Sequence, residues 1–251
     1  MLKHLYGDFL TAFQFLTRIP VRSNAVWAPD AFGRSVKFFP LIGGLIGLIL
    51  AGTAYSVQFY GAGGAPVHVL AAGLIIIEIV ITGALHCDGL MDTADGLFSG
   101  RSRERILEIM KDSRIGAFGA ISFCLFILFK YSLLVDIPAN ALITAMFVMP
   151  VAGRMAVVTA ITGFPYIRAE GLGKNFAGGD GKKTVWIAGA LALGLVAPFG
   201  RMALAALAAG LIAALLVARY AAARLGGMTG DVYGAVLELS EVAALSVFCL
   251  Q

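Results

Sequence analysis

The chain has 251 residues, of which 59% are hydrophobic and 14% charged, with a mean hydropathy of +0.88. Water-soluble domains run nearer to about 45–50% apolar and about a quarter charged, so this composition excludes an ordinary soluble fold and predicts an all-α, polytopic integral membrane protein. The net charge of +4 belongs more simply in loops beside a lipid bilayer than against nucleic acid, so no nucleic-acid partner is expected.

The first residues, with Lys3, His4 and Asp8 and no small-residue cleavage site, do not read as a secretory signal. Leu5–Leu16 is too short to span, but Leu5, Phe9, Phe13 and Leu16 recur at helical spacing. That pattern predicts an N-terminal interfacial helix, stopped by Thr17-Arg18-Ile19-Pro20-Val21. A span needs about 20 mostly apolar residues. Such runs fall at Phe38–Tyr60, Pro66–His86, Ile115–Val135, Asn140–Ile161, Val185–Phe199, Met202–Ala218 and Gly234–Leu250. The expectation is therefore about seven transmembrane helices, six to seven because the fifth and sixth runs are short and joined only by Gly200 and Arg201. Those two form either two full spans or a re-entrant hairpin. Gly43-x-x-x-Gly47 in the first span reads as a helix-packing motif. Residues 1–251 read as one transmembrane catalytic domain, with 1–37 an N-terminal cytoplasmic segment and 87–114 an acidic and basic segment.

With the N-terminus inside, sixteen of the nineteen Lys and Arg residues fall on one side. They are Lys3, Arg18, Arg22, Arg34 and Lys37, then Arg101, Arg103, Arg105, Lys111 and Arg114, then Arg168, Lys174, Lys182 and Lys183, then Arg219 and Arg224. Arg201 alone lies opposite, and Lys130 and Arg154 lie inside spans. The positive-inside rule makes the charged side cytoplasmic. The outer loops, around Gly61–Ala65 and Asp136–Ala139, are short, so the function is expected at the cytoplasmic face.

Chemistry concentrates in His86-Cys87-Asp88-Gly89-Leu90-Met91-Asp92-Thr93-Ala94-Asp95-Gly96. The second span runs straight into it, and a continuing helix puts Asp88, Asp92 and Asp95, at i, i+4 and i+7, on one face. Three stacked like charges are costly unless a cation neutralises them. Clustered carboxylates suit Mg²⁺ or Mn²⁺, particularly with substrate phosphates in the shell. The alternative is a solvated acidic helix end. His86 reads as a metal-shell group or an interfacial histidine. Lys111 and Arg114 follow at the entrance to a span as candidate phosphate ligands, with Asp112 a candidate base or their ion partner. Carboxylates for metal beside cations for phosphate suit phosphoryl transfer. Inside the spans, Glu238 and Glu241 lie one turn apart, and Asp231 extends their face if the helix starts early. Arg154 is a phosphate candidate or the ion partner of a glutamate; Glu78 lies deeper, and Lys130 is expected to snorkel outward. The glycine-rich stretch 171–183 reads as a flexible basic loop. The three cysteines, Cys87, Cys124 and Cys249, have no paired or metal-type spacing and read as inert small hydrophobes.

Phe15-Leu16-Thr17-Arg18-Ile19-Pro20-Val21, the run Asp88 to Gly96, Glu108 through Lys111-Asp112-Ser113-Arg114 to Gly119, and Thr229-Gly230-Asp231-Val232-Tyr233-Gly234-Ala235 with Glu238 and Glu241 together resemble the adenosylcobinamide-GDP ribazoletransferase (cobalamin synthase) family. The resemblance implies attack by a hydroxyl of α-ribazole or its 5′-phosphate on the cobinamide-side phosphorus of adenosylcobinamide-GDP, with loss of GMP. It implies Mg²⁺ as cofactor and the bacterial cytoplasmic (inner) membrane as location. On that reading Asp88, Asp92 and Asp95 hold metal, Lys111, Arg114 and Arg154 hold phosphate, and Asp112, Asp231, Glu238 or Glu241 is the general base. A homo-oligomer or a complex with other late-pathway enzymes is compatible with it. A CDP-alcohol phosphotransferase fits less well, because Asp92-Thr-Ala-Asp95-Gly96 lacks the Ala-Arg and the second Asp pair of that pattern. An ion-coupled transporter is the remaining alternative.

Overall fold

The computed structural model describes residues 2–21, 29–61 and 66–250. Arg22 and residues 62–65 of the first outer loop lie outside the described residues. The described chain is all-helical: α1 (Leu2–Leu16), α2 (Pro29–Ser35), α3 (Phe39–Tyr60), α4 (Val67–Thr82), α5 (Leu85–Leu97), α6 (Arg103–Ile109), α7 (Ala117–Asp136), α8 (Ala139–Gly163), α9 (Leu172–Phe176), α10 (Gly181–Val196), α11 (Arg201–Leu225) and α12 (Gly230–Phe248). Among the described residues, five helices are long and apolar enough to cross a membrane, or six if the bent pair α4 and α5 counts as one span. The protein is a polytopic membrane protein. The run expected as the seventh span, α12, has 19 residues but carries Asp231, Glu238 and Glu241. It escapes the lipid cost of those charges by being sheathed in other helices.

α8 is the axis of the bundle. Its sides pack against α3, α10, α11 and α12, and most of its residues, from Ala141 to Ile161, are buried. The expected Gly43/Gly47 motif is where α3 meets it, against the backbone of Pro150 and Phe147, closer than any side chain allows. The Val185–Phe199 and Met202–Ala218 runs form two full helices turning at Gly200 (φ 85°), not a re-entrant hairpin.

Contacts tie the charged connections together at one end. The Arg18 amide donates to the Ile81 carbonyl, and the Met228 amide to that of Pro165. Arg103 Nε donates to the Leu225 carbonyl, and Asp8 is held by Arg34 and Lys37, each at 3.1 Å. α1 packs on this end through Leu10, Ala12 and Leu16. The stretch 171–183 is folded rather than loose: α9 delivers Phe176 into a cluster with Phe15, Phe32 and Phe39.

Lys130 does not snorkel. It is 2% exposed, and its Nζ lies 2.8 Å from Glu78 Oε2, 2.9 Å from Glu241 Oε2 and 3.7 Å from Glu238 Oε2. Arg154, wholly buried, pairs with the other oxygen of Glu241. The Cys87 thiol donates to Glu238 Oε1 at 3.4 Å. One ionic knot thus joins α4, α7, α8 and α12, with α5 at its margin. Lys130 stays inside because three carboxylates meet its ammonium there.

Lys130→Met leaves those carboxylates without their central cation. It is expected to lower unfolding free energy by about 3–5 kcal/mol. Removing the exposed Arg105–Glu108 pair by Arg105→Ala is expected to cost less than about 0.5 kcal/mol. Denaturant unfolding in detergent measures both.

Candidate active site

α4 does not continue into the acidic segment. It stops at Thr82, and α5 leaves at 93° to it. Gly83 (φ 66°) and Ala84 (φ 58°) are both left-handed, which breaks the ladder within two residues. For Ala84 that conformation is strained. The bend lays α5 across the charged end of the bundle, outside the spans, against α7 and α12. Gly89 and Gly234 make the crossing with α12: a methyl on Gly234 would meet the His86 carbonyl at 2.9 Å, and one on Gly89 would meet that of Asp231 at 2.7 Å. With the helices this close, Asp231 joins Asp88 and Asp92.

The three predicted metal aspartates share α5 but not one environment. Asp88 is exposed, Asp92 half-buried and Asp95 buried. Burial, aided by the carboxylates of Asp231 and Asp88, pushes Asp92 up to about 7. Asp95 instead accepts backbone N–H bonds from Gly116 (2.7 Å) and Gly119 (2.8 Å), anchoring the first turn of α7. Among the described residues, no three His, Cys, Asp or Glu side chains form a ready-made metal cage. Asp88 and Asp231 do supply hard oxygen donors at one cavity, with Arg168 as the nearby cation, and Asp92 lies one turn further along α5. That donor set fits a divalent ion that completes its shell with phosphate oxygens.

Arg168, counted from sequence only as one of the loop cations, is the residue that sequence reasoning missed. Its Nη2 lies 2.7 Å from Asp231 Oδ2 and 3.3 Å from the Met110 carbonyl. It is positioned by the short parallel bridge between Tyr166 and Met228, in which the Ile167 amide donates to the Met228 carbonyl. Thr229 caps α12 by accepting from the Val232 amide and donates to Asp231 Oδ2, both at 3.3 Å. A threonine two residues before an aspartate at a helix start is a signal that could have been read.

The other predicted residues are dispersed. Glu238, Glu241 and Arg154 are committed to the ionic knot and do not line the cavity beside Asp88 and Asp231. Asp112 is bound by Arg114 (2.6 Å), whose hydrogen bonds lower its carboxyl to about 2. With Asp95, Arg105 and Glu108 these two line a separate polar cavity of about 340 Å³. Lys111 is exposed on the same segment. His86 is buried and lines an aromatic cavity with Asp88, Asp231, Arg168 and Tyr233.

Comparison with known proteins gives a consistent result. The family model described as cobalamin-5-phosphate synthase matches residues 8–249. The adenosylcobinamide-GDP ribazoletransferase of Desulforamulus reducens is 40% identical over 98% of this chain and 97% of its own length. That of Desulfitobacterium hafniense is 38% identical over 93% of each. That of Pseudomonas aeruginosa is 37% identical over 97% of this chain and 98% of its own. No solved structure matches the chain.

Asp95→Ala strips two buried amides of their charged acceptor. It is expected to reduce folding stability by about 2–3 kcal/mol, read as a lower unfolding midpoint in detergent.

Proposed function

The chain belongs to the cobalamin-5-phosphate synthase family, and from that premise we propose that it joins α-ribazole, or its 5′-phosphate, to adenosylcobinamide-GDP with release of GMP. The observation that carries this reading is the crossing of α5 and α12 at Gly89 and Gly234, which brings Asp88 and Asp231 to one cavity beside Arg168 at the charged end of the bundle. Breaking a pyrophosphate needs oxygen donors for a divalent cation and cationic groups for phosphate, and little else from the protein.

In the proposed reaction the ribosyl hydroxyl oxygen bonds to the cobinamide-side phosphorus. The bond from that phosphorus to the bridging oxygen breaks, and GMP departs with the electron pair. Of the four candidate bases, Asp231 is the one at the cluster. It takes the hydroxyl proton, held in place by Arg168 and Thr229. Asp88 and Asp92 would hold Mg²⁺, which when bound polarises phosphoryl oxygens and stabilises the leaving phosphate. Lys111 and Arg114 stay assigned to substrate phosphates. The same asymmetry of charge supports a bacterial cytoplasmic membrane location with this end, and the N-terminus, in the cytoplasm.

Purified protein in detergent or liposomes, given adenosylcobinamide-GDP, α-ribazole 5′-phosphate and Mg²⁺, is expected to yield GMP and the joined corrinoid in equal amounts, and none with EDTA. Asp92→Asn and Asp231→Asn are expected to lower kcat by about 100-fold or more while remaining folded. Full Mg²⁺-dependent turnover by either variant would remove that residue from its role.

A further inference from the structure

The aromatic cavity beside the carboxylate cluster has features that phosphoryl transfer alone does not require. It encloses about 230 Å³ among α1, α3, α5, α8, α12 and the segment 166–176. One wall is phenylalanine: Phe15 and Phe39 stand 4.4 and 5.5 Å, centroid to centroid, from Phe176. Tyr166 and Tyr233, stacked at 6.1 Å, also line it. Two polar atoms on lining residues, His86 Nδ1 and Tyr233 Oη, are buried and have no hydrogen-bond partner among the described residues. Both side chains are more than nine-tenths buried, at 5% and 6% exposure. A folded chain ordinarily satisfies such groups, and leaving them open costs stability. Flat apolar walls with a few unsatisfied polar groups form a cavity shaped for a planar heterocycle.

We infer that this cavity seats the planar nitrogen heterocycle of a nucleoside substrate, with His86 and Tyr233 hydrogen-bonding its ring and the aromatic wall stacking on its faces. The inference rests on the transferase reading, which supplies two nucleosides, the ribazole acceptor and the guanosine of the donor. The geometry points to the acceptor. The charged lining next to the aromatic part consists of Asp88, Asp231 and the Arg168 paired to it. An acceptor whose base fills the aromatic part presents its sugar hydroxyl to Asp231, where a proton acceptor is needed. His86 on this account is a base-recognition residue, not part of a metal shell.

Two variants test this in the full-length detergent-purified protein: Tyr233→Phe, which removes one hydroxyl and keeps the ring, and Phe15→Leu, which thins a partly buried wall. Calorimetric binding of α-ribazole and of GMP is measured without the other substrate, beside steady-state KM for each substrate, with melting midpoints to confirm folding. The expected result is α-ribazole binding weakened about fivefold by Tyr233→Phe and about tenfold by Phe15→Leu, with KM for the donor within twofold of wild type. Weakened GMP binding and raised donor KM, with α-ribazole unaffected, would put guanine in the cavity and overturn the proposal. Unchanged binding of both, in whichever variant folds, would overturn it as well. Binding is read apart from turnover, so wild-type protein that binds α-ribazole through this cavity but releases no GMP would count against the transferase reading and leave the cavity proposal standing.

Discussion

Everything else in this bundle depends on burying Lys130. An ammonium in the middle of a membrane protein is tolerable only if carboxylates meet it there, and Glu78 and Glu241 do so at 2.8 and 2.9 Å. Each carboxylate comes from a different helix, so the ion pairs fix α4, α7 and α12 to a common depth. Arg154 then adds α8 through the second oxygen of Glu241. Apolar packing between lipid-embedded helices is weakly directional, because lipid tails are as apolar as leucine. Charges that must find one another provide the register that packing leaves loose.

The ionic knot sets where α12 stands, and α12 sets the site. Its first turn carries Asp231, and the Gly89/Gly234 crossing brings α5 against it. The bend at Gly83 and Ala84 turns α5 out of the membrane direction, and the amide of Arg18 bonding to Ile81 ties the N-terminal segment to that corner. A strained left-handed alanine at such a corner fits the tendency of backbone strain to collect near functional sites. Deep charges are thus used for architecture, whereas Asp88 and Asp231 at the bundle end line the aromatic cavity.

Apolar runs made the helices readable from sequence, and so did the Gly43/Gly47 contact, because lipid allows few alternatives. The acidic run was readable as a candidate site because unpaired carboxylates beside a bilayer are expensive. What stayed hidden depended on partners distant in sequence. Ala84 gives no warning of a bend, since alanine is the best helix former and a lone preceding glycine is common in membrane helices. Lys130 lies near the end of α7, and nothing along that helix announces its partners Glu78 and Glu241. Asp95 shares the face of Asp88 and Asp92 by periodicity, yet the backbone of Gly116 and Gly119 claims it. Arg168 was one cation among many until the Tyr166–Met228 bridge set it against Asp231.

The knot also imposes an order on biogenesis. Glu78 is already made when Lys130 emerges, so α4 and α7 can enter the bilayer as a neutralised pair. Arg154 follows on α8, but its partner Glu241 lies 87 residues further along. At bacterial elongation rates that gap lasts on the order of ten seconds. Throughout it, the axial helix carries an uncompensated guanidinium. The newly inserted chain must shelter α8 within the translocation machinery, or against its own first helices, until the last helix arrives to close the charge.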